Sequence, residues 1–245
     1  MCAPRNGAPT ALAAAVLLLA CGASTSGSPP DTLWPEHAPT PPPARVVFFG
    51  SSTTAGAGAS RPERRWTSIV SRRLGWVEVN RGLSTSTLTE VRRKTPSGEQ
   101  RWRQALAGAA PDVVFVMYGA NDVLARVPLG EPGTPGTFRH AAAAVLGGIR
   151  EAFPHAALVV CAPQPSRSTA ERRELYDLAL AEAAARERAI FIAAGSAFPA
   201  ERLGELTSDR LHLNDAGHAA LAEFILTRRG ALAERPGGAG ATAAR

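Results

Sequence analysis

The chain predicts an α/β fold, an open five-stranded parallel sheet with helices on both faces. Three features of the sequence point there. Short apolar runs rich in Val, Ile and Phe recur along the chain, bounded by turn residues. They are short and punctuated, as strands of a buried parallel sheet are. Longer segments of helical composition separate them, and strand–helix alternation puts crossover helices on the two sides of one sheet.

The first strand is Arg45-Val46-Val47-Phe48-Phe49-Gly50, an apolar run closed by glycine. A helix follows over Pro62–Leu74, and a second strand over Trp76–Asn80. Helix Gly98–Leu106 precedes a third strand, Asp112–Met117. Helix Thr137–Phe153 leads to a fourth, Ala156–Cys161. Helix Ser168–Arg188 leads to a fifth, Ala189–Ala193. The last helix is Asn214–Arg229, where Asn214-Asp215 supplies a capping signal. The domain spans 45–230, and no internal repeat of fixed period occurs.

Composition bounds the function. The 245 residues are 45% apolar and 20% charged, which excludes disorder along the whole length. Beyond the N-terminus no run of about 18 apolar residues occurs, which excludes a polytopic membrane protein. Cys2, Cys21 and Cys161 cannot build a disulfide framework. Cys161 ends an apolar run and reads as a small packing residue. Residues 1–21 have the layout of an export signal: Arg5, then an apolar run from Ala11 to Ala20, too short for an anchor. Leu18-Leu19-Ala20-Cys21 resembles a bacterial lipobox, in which the cysteine becomes lipid-modified. Plain cleavage near Ala23 is the other reading. The expected location is therefore the cell envelope, tethered through Cys21, or outside the cell. Residues 22–44, rich in Pro, Ser and Gly, form a linker, and 231–245 a disordered tail.

Open parallel sheets place their sites beyond the carboxyl ends of the strands. After the first strand comes Gly50-Ser51-Ser52-Thr53-Thr54-Ala55-Gly56. A serine on a strand-to-helix turn is well placed as a nucleophile. A phosphate cradle is the competing reading, but the loop lacks the third glycine of GxGxxG, and no GK[ST] exists. After the second strand comes Asn80-Arg81-Gly82-Leu83-Ser84. After the third comes Tyr118-Gly119-Ala120-Asn121-Asp122, and near the end Asp209-Arg210-Leu211-His212. A second DxxH, Asp215 to His218, falls inside the last helix and reads as a decoy. No spacing of His, Cys and carboxylates suits a metal, and no cofactor is expected.

In this order the four segments resemble the SGNH hydrolase superfamily, also called GDSL esterases and lipases, over the whole core. The resemblance implies a three-layer α/β/α flavodoxin-like fold with strand order 2-1-3-4-5. It implies a serine esterase with a catalytic triad of Ser52, Asp209 and His212. It implies an oxyanion hole formed by Ser52 N–H, Gly82 N–H and the Asn121 side chain. Three departures stand out: Ser51 where the family usually has Asp, Thr85 where a second glycine is common, and Leu213 where Pro often follows the histidine. Ser51 leaves a second serine to weigh, and the spacing to Thr54 and Gly56 favours Ser52.

The residue types suit that chemistry. A serine hydroxyl needs a base within hydrogen-bond reach, and histidine's ordinary value of about 6.5 lies near the working range. A carboxylate three residues away on a tight turn can orient the imidazole. The implied activity is hydrolysis of carboxylic esters: short acyl esters, O-acetyl groups on sugars, or lysophospholipids. Acyl transfer from the same serine, or a silent binding lipoprotein on the same fold, are the alternatives. Arg126–Phe138 is a plausible pocket rim. From Arg61 to Arg103 there are 11 cations and four acids. That stretch is either a solvated face or a surface drawn to anionic membranes. Nucleic acid is not an expected partner, since no binding motif is present.

Overall fold

The computed structural model describes residues 43–91, 94–165 and 170–228. The expected signal with Cys21, the linker up to residue 42 and the tail from 231 lie outside the described residues. Five strands form one all-parallel sheet: β1 (Arg45–Gly50), β2 (Val77–Gly82), β3 (Val113–Met117), β4 (Ala157–Cys161) and β5 (Ile190–Ile192). Their order is β2-β1-β3-β4-β5, the doubly wound order that the resemblance implies.

The period-two alternation of each strand sorts its side chains between two cores. Val47, Phe49, Val114, Val116 and Val160 face one layer. That layer holds α3 (Gly98–Leu106), α5 (Phe138–Ala152) and α6 (Ala170–Arg186). Val46, Phe48, Phe115, Met117 and Cys161 face the other, with α2 (Trp66–Leu74) and α8 (Asp215–Leu226). The helix faces match. In α5 the buried positions are Phe138, Ala141, Ala142, Val145, Leu146 and Ile149, an apolar stripe at helical spacing. Phe48 anchors the second core, 5.1 Å from the rings of both Trp66 and Phe115. Ser97 and Gln100 close a capping box that starts α3 where the sequence predicts it.

The boundaries differ from expectation in ways that locate the site. β2 runs to Gly82 rather than Asn80, because Gly82 pairs with Gly50 of β1. An edge strand takes its length from that pairing, whatever its polar content. The helix predicted over Pro62–Leu74 is broken at Arg65, which is extended (φ −64°, ψ 143°). Three single-turn helices carry no periodicity to predict: α1 (Ser52–Ala55), α4 (Ala120–Leu124) and α7 (Leu203–Leu206). The first two follow β1 and β3, neighbours in the sheet at the point where the strand order reverses. That switch point is where such sheets build their crevice.

Candidate active site

Ser52 opens α1 directly beyond β1. Ser51 before it is buried, and its N–H donates to the Met117 carbonyl of β3 (3.3 Å). Ser52 is only half-buried. The turn therefore turns one serine into the sheet and leaves the other accessible. Trp66 Nε1–H steadies the turn from below by donating to the Thr53 carbonyl (3.0 Å).

Asp209 and His212 lie on a loop that doubles back on itself. Thr207 bridges Leu213 antiparallel, and Ser208 N–H donates to the His212 carbonyl (2.9 Å). Arg210 takes φ +67° at the tip, which brings position 212 round to face position 209. Asp209 Oδ1 accepts the N–H groups of Leu211 (3.0 Å) and His212 (2.7 Å). Its other oxygen, Oδ2, lies 2.7 Å from His212 Nδ1. The N–H of His212, its imidazole and the N–H of Leu211 hold the Asp209 carboxyl down at about 2. The carboxylate is thus ionised and acts as acceptor, which assigns the proton to Nδ1 and leaves the Nε2 lone pair as a base.

Asn121 is in the first turn of α4, reached through Gly119 at φ +120°, a backbone that L side chains rarely adopt. Its side-chain N–H donates to the Ser86 carbonyl (2.9 Å). An amide NH₂ has two hydrogens, so one remains for another acceptor.

The Gly82 N–H donates to Asn80 Oδ1 at 2.9 Å. The position has no room for a side chain: a Cβ there would sit 2.1 Å from the Ala55 nitrogen. Gly82 lets α1 lie directly against the end of β2. The chain then turns at Leu83–Ser86, closed by Ser86 N–H to the Leu83 carbonyl (3.3 Å). Ser84 and Thr85 are exposed at the tip, with Thr85 at φ +63°.

Three residues that sequence reasoning missed hold these pieces together. Asn80 Nδ2 donates to the Thr54 carbonyl (2.7 Å) and to Thr67 Oγ1 (3.0 Å), tying β2 to α1 and α2. Asp122 is fully buried, and its carboxylate accepts the N–H groups of Leu88 (2.8 Å) and Thr89 (3.0 Å). Gln164, in the loop after β4, hydrogen-bonds to Thr53 and to Leu211. Each had a signal. Asn is depleted in strands, so Asn80 at a strand end marks a special position. Gln164 stands beyond the carboxyl end of a strand, where the sheet rule directs attention.

The decoy pair separates. Asp215 accepts from Ser60 N–H (2.8 Å) and Ser60 Oγ–H (2.6 Å). His218 is fully buried in α8, with Nδ1 accepting Trp66 N–H (3.4 Å) and Nε2 next to the Ala57 carbonyl (3.3 Å). Burial pushes its imidazole below the ordinary value. Cys161 is buried in the second core, and burial pushes its thiol up, away from reactivity. Among the described residues no cluster of His, Cys, Asp and Glu could hold a metal ion.

The model of the GDSL-like lipase/acylhydrolase family matches residues 48–220. Among solved structures, the chain is similar to a protein from Lactobacillus plantarum at 23% identity and TM-score 0.65, over 77% of this chain and 97% of that one. It is similar to Est24, a carbohydrate acetylesterase from Sinorhizobium meliloti, at 22% identity and TM-score 0.63, over 77% and 99%. It is also similar to a variant of Axe2, an acetyl-xylooligosaccharide esterase from Geobacillus, at 22% identity and TM-score 0.59, over 76% and 94%. No curated protein matches the chain. At these identities the structural likeness speaks to the fold.

Proposed function

Because this chain belongs to the GDSL-like lipase/acylhydrolase family, and so hydrolyses carboxylic esters, we propose that it does so through an acyl-enzyme on Ser52. The observation that carries the proposal is the Asp209–His212 pair at 2.7 Å, with the carboxylate held ionised and Nε2 left free. Ser52 Oγ attacks the ester carbonyl carbon while His212 Nε2 takes its proton. The C–O bond to the alcohol then breaks, and His212 returns the proton to the leaving oxygen. Water, deprotonated by the same imidazole, releases the acid and regenerates Ser52. Asp209 orients the ring and stabilises the imidazolium.

The oxyanion formed in each step meets the second Asn121 N–H and the Ser52 N–H, which as the first residue of α1 has no partner within its own helix. The proposed third donor is the Gly82 N–H, which would exchange its bond to Asn80 Oδ1 for the oxyanion.

For the substrate we favour short acyl esters, O-acetylated carbohydrate first. The support is that two structures of this fold are named as a carbohydrate acetylesterase and an acetyl-xylooligosaccharide esterase. We also propose export, with Cys21 lipidated and the protein held at the cell envelope.

The test is hydrolysis of p-nitrophenyl esters from C2 to C12, with Ser52→Ala alongside. We expect wild-type activity highest on the shortest chains and a loss of at least 10³-fold in the variant. Equal rates in the two proteins would remove Ser52 from the reaction. If acetylated oligosaccharides and p-nitrophenyl esters are both untouched and a fluorophosphonate leaves Ser52 unlabelled, the protein is a silent binder.

A further inference from the structure

We infer that Gln164 is a positioning residue that sets the base against the nucleophile through one side chain. The inference rests on the Ser52–His212 reading above.

The two halves of the proposed machinery are carried by elements far apart in the chain, joined beyond the site where Ser60 donates to Asp215. Ser52 belongs to α1, after the first strand. His212 belongs to a loop after the last. Each half is ordered internally, by the α1 turn and by Asp209. Neither arrangement sets the distance between them.

Gln164 spans that gap. It is 5% exposed, between Pro163 and Pro165, which leave its backbone little freedom. Its Oε1 accepts from Thr53 Oγ1–H at 3.0 Å, and Thr53, itself buried, is the residue after Ser52. Its Nε2 donates to the Leu211 carbonyl at 3.2 Å.

That carbonyl belongs to the peptide unit between Leu211 and His212. The N–H of the same unit donates to Asp209 Oδ1 at 2.7 Å. The plane immediately before His212 is therefore gripped from both sides, by a carboxylate on its N–H and a carboxamide on its C=O. Gripping the plane fixes the direction of the His212 Cα–Cβ bond, and hence the line along which Nε2 points. The other end of the same carboxamide stands one residue from the nucleophile.

Only a carboxamide of this length serves both ends. A carboxylate at position 164 accepts from Thr53 but has no hydrogen for Leu211, and two oxygens then face each other. A thioether matches the length and offers neither bond.

The test uses the full chain with Gln164→Met, Gln164→Glu, Thr53→Val and the double variant Thr53→Val/Gln164→Met, read on p-nitrophenyl acetate and by the rate of fluorophosphonate labelling. Small misplacements of reacting groups cost up to about 10²-fold. We expect kcat and labelling rate to fall roughly tenfold to a hundredfold in each position-164 variant, with KM within about twofold. The double variant should be no slower than Gln164→Met alone, because one strut cannot be broken twice.

A position-164 variant that folds and keeps wild-type kcat overturns the inference, as does a loss seen only in KM. If Gln164→Met fails to fold, the near-isosteric Gln164→Glu carries the measurement, and Thr53→Val tests the opposite end alone. Ser52→Ala and His212→Ala run in parallel separate the two failures. If either stays active, the catalytic reading has failed. If both are inactive while the Gln164 and Thr53 variants match wild type, only the role of Gln164 has.

Discussion

At the scale of single residues, Asp122 shows how a group beside the site can be held in an uncomfortable state. Burial pushes its carboxyl up to about 6, against the pull of the Leu88 and Thr89 amides that bond the ionised form. The sign of the pH effect follows. The unfolded chain releases this proton near the ordinary aspartate value of about 4, while the folded protein keeps it to about 6. Within that window the native state binds more protons, so this group's contribution to stability falls as pH rises, by up to about 1.4 kcal/mol per unit. Asp122→Asn cannot titrate. It also turns an NH₂ toward one of the two amides, which costs about 1–3 kcal/mol. Urea denaturation at pH 4.5 and pH 7 should show the variant's deficit largest at pH 4.5 and smaller at pH 7, where wild type has lost this group's contribution. An equal deficit at the two pH values would show that Asp122 is not the group titrating.

The same scale separates what was legible from what was not. The proposed site residues Ser52, Asn121, Asp209 and His212 could be named because their proposed chemistry depends on residue type in loops after strands. Gln164 could not, since its partners stand 111 and 47 residues away, and only the folded sheet brings them to it. The close approach at Gly82 was not legible either, because a glycine at a strand end has two possible causes, a donor amide or a close approach. The distance to Ala55 decides between them, and no sequence pattern contains it.

At the scale of elements, α1 packs directly on β2 with no room for a side chain between them. With a Cβ at position 82 only 2.1 Å from the Ala55 nitrogen and 2.5 Å from its Cα, the obstacle is backbone and cannot rotate away. Gly82→Ala must therefore lift α1, and α1 carries Ser52. Overpacking of this kind costs about 1–3 kcal/mol. We expect the activity loss to exceed the stability loss, with kcat down more than about tenfold in protein that is still folded by circular dichroism. Wild-type kcat would mean that α1 shifts without disturbing the serine. The larger elements were legible because period and composition run over many residues, as in α5. The single-turn helices α1, α4 and α7 were not, being too short for the period to repeat, although two of them carry proposed site residues.

At the scale of the whole molecule, charge is unevenly spread. The net charge is +6, while Arg61–Arg103 alone contributes +7. Arg61, Arg64, Arg72 and Arg73 line one surface groove with Glu63 and Glu223, and Arg73 pairs across it with Glu223 at 3.1 Å. Arginine clusters of this kind are attracted to anionic headgroups, and the attraction is screened by salt. If the envelope reading holds, two determinants act together. Cys21→Ala should move the enzyme from the membrane to the soluble fraction. The purified variant should still bind vesicles containing phosphatidylglycerol at low salt, and release from them near 0.5 M NaCl, where the Debye length falls to about 4–5 Å. Release that ignores salt would assign the arginines to an ordinary solvated face.

The strand order also has a consequence in time. Parallel neighbours cannot be joined by a tight turn, and β1 must wait for β3 before Val46 meets Val113. The serine lies at the beginning of this domain, its base and carboxylate at the end, and α8 closes the sequence by packing on α2. A chain made from its N-terminus therefore displays its nucleophile long before anything exists to activate it. On the proposed mechanism every nascent form, and any form cut before His212, is inert, and hydrolysis waits for the C-terminal part of the domain.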